Sequence, residues 1–205
     1  MIHYVLASDI PNDISGACVR FIYDGEEEVN KLPNGQKEIV LRFGKHGEMN
    51  RRKLITLVRK MVGRAKSARA KRVVLSLDDL YSKCSPKMAY DPADLAELVT
   101  VNIEMANYEF VAYKEKPKDG WPFIEEVVLV GTGDRFLDGM RRGKIIGDGV
   151  NFQRDLGNTP PSSMTPERLA DEAHRATDGL PITLRVLDVP EMICLGMEGV
   201  VGVGA

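Results

Sequence analysis

Two adjacent prolines constrain this chain more than any other feature. They stand in the stretch Gly143 to Pro166, GKIIGDGVNFQRDLGNTPPSSMTP. Proline lacks the backbone N–H and its ring clashes with the preceding helical turn, so Pro160-Pro161 must stop any helix that runs into it. Asn158 ahead of the pair reads as a helix end. Thr165 and Pro166 read as the cap and first-turn proline of a new helix. The stretch is therefore expected to be a helix, a rigid extended crossing and a second helix, which is how a linker between two domains should look. Arg154 beside Asp155 is read as a structural ion pair that anchors this junction, in preference to a metal or acid–base site.

Upstream of the prolines, Gly139, Gly143 and Gly147 recur every four residues inside the helical stretch. Each costs up to about 1 kcal/mol relative to alanine in a helix interior. A stripe of small residues lets another backbone approach closely, so this helix is expected to pack tightly on one side. Arg141, Arg142 and Lys144 interrupt the segment and exclude a membrane-embedded glycine stripe.

The 205 residues suffice for one large domain, or one and a half of average size. A formal net charge of −2 gives no bulk attraction to polyanions. Cys18, Cys84 and Cys194 lie far apart with no CxxC pair, which argues against a disulfide framework or thiolate metal site and fits a reducing, cytoplasmic setting. The first fifteen residues lack the basic-then-apolar pattern of a signal peptide. No run reaches the roughly 18 apolar residues of a membrane span.

In chain order, Ile2 to Leu6 and Ala17 to Tyr23 read as strands, separated by a turn-rich Asp9 to Gly16. Glu26, Glu27 and Glu28 read as a solvated loop or edge. A turn around Pro33-Asn34-Gly35 precedes a strand at Glu38 to Phe43. Leu54, Leu57, Val58, Met61, Val62 and Ala65 then form one apolar stripe at helical spacing. The opposite face carries Arg51, Arg52, Lys53, Arg59, Lys60, Arg64, Lys66, Arg69, Lys71 and Arg72. Cations at the start of a helix oppose its dipole, at about 0.3–1 kcal/mol each. A solvated or subunit-facing helix is the preferred reading over a nucleic-acid surface, because no aromatic residue interleaves the cations to stack on bases.

Val73 to Leu77 is a continuous apolar run, the mark of a buried central strand. Asp91-Pro92 caps a helix bearing Leu95, Leu98, Val99, Asn102 and Ala106, closed by Tyr108, Phe110 and Tyr113, which are read as core. Val127 to Val130 is a strand leading into Gly131-Thr132-Gly133 and a helix. Such a glycine turn can cradle phosphate. However, Phe136 occupies the place of the third glycine of a dinucleotide fingerprint, and Asp134 would repel a phosphate. A plain strand–helix turn is preferred. After the junction come a helix from Thr165 to about Ala176, a strand at Ile182 to Leu187, a short helix at Pro190 to Leu195 and a glycine-rich apolar tail. Alternating strands and helices indicate an α/β fold.

The junction residues Asn151, Arg154, Asp155, Leu156, Asn158, Pro160, Thr165 and Pro166 resemble the run that joins the two domains of the leucyl (cytosol) aminopeptidase family. Ser162 stands where the family usually has asparagine. Tyr108-Glu109-Phe110 with Tyr113-Lys114, Val186-Leu187-Asp188, Leu195-Gly196-Met197 and Val203-Gly204 extend the resemblance. It implies a macro-like α/β domain, a mixed sheet flanked by helices, over 1–157, including a linker helix at about 134–157. Residues 158–205 would then be an incomplete start of the metallopeptidase domain. It further implies a parent enzyme that removes N-terminal residues from peptides with two divalent cations, manganese or zinc, and assembles as a hexamer. The family's Lys-Gly-x-x-x-Asp-x-Gly-Gly and Asn-x-Asp-Ala-Glu-Gly-Arg metal segments do not occur here. His3, His46 and His174 show no ligand spacing, and no Gly-x-Ser-x-Gly elbow is present. No catalytic, cofactor-binding or metal-ligating residue is therefore assigned within the chain, and it is expected to be inactive alone. The part played by these residues would be assembly and access to the active site. The alternative is a stand-alone module binding a nucleotide or ADP-ribose at Gly131 to Gly133, or nucleic acid along Arg51 to Arg72.

Overall fold

Short β-branched and apolar runs pair into a single six-stranded sheet in a computed structural model that describes residues 2–11, 16–33, 35–45 and 47–204. Parts of the Asp9 to Gly16 and Pro33 to Gly35 turns, and His46, lie outside the described residues. The strands are β1 (His3–Ala7), β2 (Ala17–Ile22), β3 (Glu28–Lys31), β4 (Lys37–Arg42), β5 (Arg72–Ser76) and β6 (Glu126–Val130). Their order across the sheet is β1-β6-β5-β2-β4-β3. The pairs β1–β6, β6–β5, β5–β2 and β2–β4 are parallel. Only β3 runs antiparallel, on β4. The sheet is thus mixed, with β5 and β6 central and buried along nearly their whole length. That burial is the reason both read as unbroken apolar runs rather than alternating ones.

Each helix start in this part of the chain is set by a side chain. Asn50 caps α1 (Arg51–Ser67), accepting the Lys53 N–H at 3.0 Å. Asp91 caps α3 (Pro92–Asn107), with Pro92 in the first turn. A helix absent from the sequence reading, α2 (Leu77–Met88), starts where Ser76 accepts the Asp79 N–H at 3.1 Å. Leu77 therefore opens a helix and does not close β5. The expected α1 stripe is buried in full and packs with Leu41, Leu75, Leu95, Val99, Ile103 and Leu129 in one core.

The helix α4 (Asp134–Asn158) follows β6 and bears out the expected close approach. Gly139, Gly143 and Gly147 are all buried. A Cβ at Gly139 would lie 2.0 Å from the Ala93 carbonyl oxygen of α3. One at Gly143 would lie 2.7 Å from the Glu97 carbonyl oxygen, and one at Gly147 2.6 Å from the Glu104 Cβ. Glycine is the only residue that admits such contact between helix backbones. The aromatic group after α3 departs from the sequence reading: Tyr108 and Phe110 are half-buried and Tyr113 is 61% exposed, so they are not core.

By internal packing the chain divides into two units, Met1–Arg154 and Asp155–Ala205. In the second, Thr165 caps α5 (Pro166–Thr177), accepting the Arg168 N–H at 3.3 Å. A capping box of Asp188 and Glu191 starts α6 (Val189–Cys194). Three sequence expectations change here. The crossing after Asn158 is not extended: the Ser163 and Met164 N–H groups donate to the Pro160 carbonyl at 2.8 and 2.9 Å. Proline presets the backbone angle that the second residue of such a turn requires, and Pro161 occupies that place. Ile182 to Leu187 alternates but forms no strand, because among the described residues no ladder partner pairs with it. The glycine-rich tail is a short helix, α7 (Glu198–Gly204).

Candidate functional site

The strand–helix turn after β6 is the first place where backbone N–H groups could meet an anion. Gly131 is required by crowding, since a Cβ there would sit 2.8 Å from the Phe136 ring, and Gly133 by its φ of +106°. Two of the donors, however, are already used, the Gly131 N–H by the Ala7 carbonyl at 2.9 Å and the Thr132 N–H by Asp78. The Asp78 carboxylate accepts the Thr132 N–H at 3.2 Å and faces the Thr132 hydroxyl at 3.4 Å. A phosphate would have to displace one carboxylate and tolerate Asp134 in the next turn. The geometry is that of a turn pinned from α2.

The basic face of α1 is largely neutralised within the first unit. Lys60 pairs with Glu27, Lys66 with Glu109 at 2.6 Å, Lys71 with Glu125 at 2.7 Å and Arg72 with Glu126 at 3.2 Å. Arg59 donates to the Asn102 amide oxygen at 3.0 Å, and that amide in turn donates to the Leu98 carbonyl at 2.8 Å. Arg69 reaches the Asp119 carbonyl at 3.1 Å. A nucleic acid would have to break these pairs to use the charges.

The junction residues prove to be clamps. Asn151 donates to the Glu104 carbonyl at 3.2 Å, and Arg154 donates to the Met105 carbonyl at 2.9 Å and to the Asn151 amide oxygen at 3.2 Å. The Arg154 guanidinium stacks 4.0 Å from the centre of the Tyr108 ring. Glu104 and Met105 lie in the last turn of α3, where the Glu104 carbonyl also accepts the Tyr108 N–H at 3.2 Å and later carbonyls run out of partners within the helix. A cation there also meets the negative end of the helix dipole. These residues therefore lock the end of α4 onto the end of α3.

Between the same helices lies a titratable group that the sequence reading missed. Glu104 is 5% exposed. Burial pushes its carboxyl up, offset by Lys144 at 3.4 Å, with the Asp148 charge pushing it further up. Lys144 also bonds Asp148 at 2.5 Å. The Tyr4 phenol is driven up by its own burial and then by the Glu104 charge. Only the position of Glu104, between the apolar residues Val99, Ile103 and Ala106, could have flagged it. Such perturbed groups mark catalytic sites in many enzymes, but this one is sealed by helix packing.

Among the described residues, no group of three histidines, cysteines, aspartates or glutamates is placed to hold a metal ion. Cys18, Cys84 and Cys194 are free thiols. No described helix is long and apolar enough to cross a membrane.

No family model matches the chain. Curated relatives do. A probable cytosol aminopeptidase of Roseiflexus castenholzii is 34% identical over 117 residues, which is 55% of this chain and 24% of that protein. One of Pasteurella multocida is 27% identical over 178 residues, 84% of this chain and 34% of that protein. The chain thus spans between a quarter and a third of the length of these relatives. Among solved structures, a tomato leucine aminopeptidase mutant superposes with a TM-score of 0.73 at 14% identity, over 96% of this chain and 46% of that one. The bottromycin maturation enzyme BotP in complex with Mn gives 0.70 at 16% identity, over 89% and 40%. These structural likenesses speak to the fold, and the curated matches speak to descent. In sequence, then, this chain is similar to probable cytosol aminopeptidases over a quarter to a third of their length.

Proposed function

We propose that residues 1–157 serve as the N-terminal, macro-like domain of a metal-dependent leucyl aminopeptidase. Residues 158–205 open its catalytic domain. The parent enzyme removes N-terminal residues from peptides in the cytoplasm, as a hexamer, with two divalent cations, manganese or zinc. The ligands for those cations lie in polypeptide other than these residues. The role of the present residues is assembly and control of access to the active site, and alone they are inactive.

One observation carries this reading. From Asp155 to Gly204 not one described residue is buried. Leu180, Ile182, Val186, Ile193, Leu195 and Val200 are each between 50% and 59% exposed. A segment with well-capped helices but no core of its own is built to be covered by more protein. The curated relatives, three to four times as long as the stretches matched here, have chain to do so.

The test is a chimera. The remainder of the Pasteurella multocida relative is fused after Ala205 and assayed on leucine anilide with manganese. The fusion is expected to turn over substrate and the 205-residue chain is not. Metal-dependent turnover by the 205-residue chain would refute the placement of the ligands elsewhere. A soluble, folded but inactive fusion would refute the aminopeptidase role. The stand-alone nucleotide-binding reading gains no support from the Thr132 turn, whose Thr132 N–H is held by the Asp78 carboxylate.

A further inference from the structure

Three cations without a salt bridge among the described residues line one cleft. The loop from β4 to α1 and the first turns of α1 bound a cleft of about 480 Å³, into whose walls Arg42, Lys45, Arg52, Lys53 and Lys60 project. Lys60 is paired with Glu27, and Lys53 with Glu48 at 3.4 Å. Among the described residues, Arg42, Lys45 and Arg52 have no salt-bridge partner. The buried Phe43 and Met49 supply apolar surface to the same cleft.

The local charge pattern works against the folded chain by itself. The first turn of α1 holds Arg51, Arg52 and Lys53 and no acid. Helices favour acids there, since the dipole and the free N–H groups are both positive. Asn50 satisfies one of those groups, the Lys53 N–H. Like charges around a concave surface repel one another as well. On the same helix Lys53, Lys60 and Lys66 each have a carboxylate partner, whereas among the described residues Arg51, Arg52 and Arg64 have no salt bridge. A local rule broken without a structural return is the usual signature of a functional site.

We propose that this cleft binds a small polyanion: a molecule carrying two or more phosphate or carboxylate groups, with its carbon frame against Phe43 and Met49. The anion converts the repulsion among Arg42, Lys45 and Arg52 into attraction and satisfies the positive end of α1. The cleft lies within the range of volumes typical of small-molecule sites. The site belongs wholly to the first unit and is independent of the aminopeptidase reading.

Titration calorimetry on the 205-residue chain tests this, with inorganic pyrophosphate and with citrate as probes at fixed ionic strength. Saturable binding of at least one probe is expected, and the probe that binds tells the phosphate source from the carboxylate source. In the Lys45→Gln/Arg52→Gln variant the affinity should fall at least tenfold, with a melting temperature of the free chain no lower than the parent's. Arg64→Gln, which removes a cation of α1 outside the cleft, should leave affinity within twofold. No saturable heat from either probe at 10-fold excess over about 1 mM protein overturns the proposal. An equal loss in Arg64→Gln and the cleft variant also overturns it, because that is diffuse screening and not a site.

Discussion

Replacing Gly139 by alanine puts the packing of α4 on α3 to a sharp test, because propensity and packing push in opposite directions. Alanine is favoured over glycine inside a helix by about 0.5–1 kcal/mol, so on propensity alone the variant gains stability. The added methyl would lie 2.0 Å from the Ala93 carbonyl oxygen and 2.8 Å from the Ala93 Cα. Those are backbone atoms of a buried helix start and cannot swing aside. α4 must lift by more than an ångström to reach ordinary contact. Overpacking of this kind costs about 1–3 kcal/mol, so the net change is a loss of about 1–2 kcal/mol. Gly149 is the control: it lies on the same helix, is exposed, and a Cβ there meets nothing within 4 Å. Gly149→Ala should gain the propensity term. For a chain of this size 1 kcal/mol corresponds to about 2–4 °C in melting temperature. The expected result is thus a fall of several degrees for Gly139→Ala and a rise of about 2 °C for Gly149→Ala. Thermal melts followed by the fluorescence of Trp121, the single tryptophan, read both. A Gly139→Ala protein as stable as Gly149→Ala would mean that α4 does not sit on α3 as described.

Two further outcomes follow from buried groups. Glu104 has its carboxyl raised in the fold by burial, so the folded chain holds that proton more tightly than the unfolded one. Its contribution to stability is full below the unfolded value, about 4.3, and is lost as pH rises through the raised folded value. Glu104→Gln removes that loss, so the stability of the variant relative to the parent should climb from pH 4 towards pH 7 in urea titrations. A flat difference would refute the assignment. Cys84 is 1% exposed and burial pushes its thiol up to about 11, whereas Cys194 is exposed. At pH 8 a disulfide reagent should label Cys194 within seconds and Cys84 only at the rate of unfolding, as peptide mapping of quenched samples would read. Equal rates would contradict the burial of α2.

What the sequence made legible were features whose cause is local. Asp91-Pro92, Thr165-Pro166 and the glycine spacing of four each act within one or two helical turns, so their reading survives folding. The missed helix α2 carries a local signal too, Ser76 three residues before Asp79, but the apolar run of β5 continues into Leu77 and hides the boundary. Strand β3 is charged, exposed and bonded on one side only, so it has no apolar pattern to read. Ile182 to Leu187 is the converse case. It has the alternation of a strand, yet alternation reports only a preference for two faces, and a ladder needs a neighbour.

The charged face of α1 shows why a site is harder to read than a fold. Ten cations between Arg51 and Arg72 look, in one dimension, like a single basic surface. Their partners lie 33, 43 and 54 residues away, as Glu27, Glu109 and Glu125. Nothing in local spacing announces those pairings. Once the sheet brings β3 near α1 and the segment before β6 near the start of β5, most of the face is spent on holding the domain together. Of the cations left without a salt bridge among the described residues, Arg42, Lys45 and Arg52 line one cleft, and two of these three lie outside the α1 run. Arg42 ends a strand and Lys45 lies in the loop after it, so neither was counted with the helix. A candidate site of this kind is defined by subtraction, by which charges the fold does not neutralise, and that difference exists only after the long-range contacts have formed.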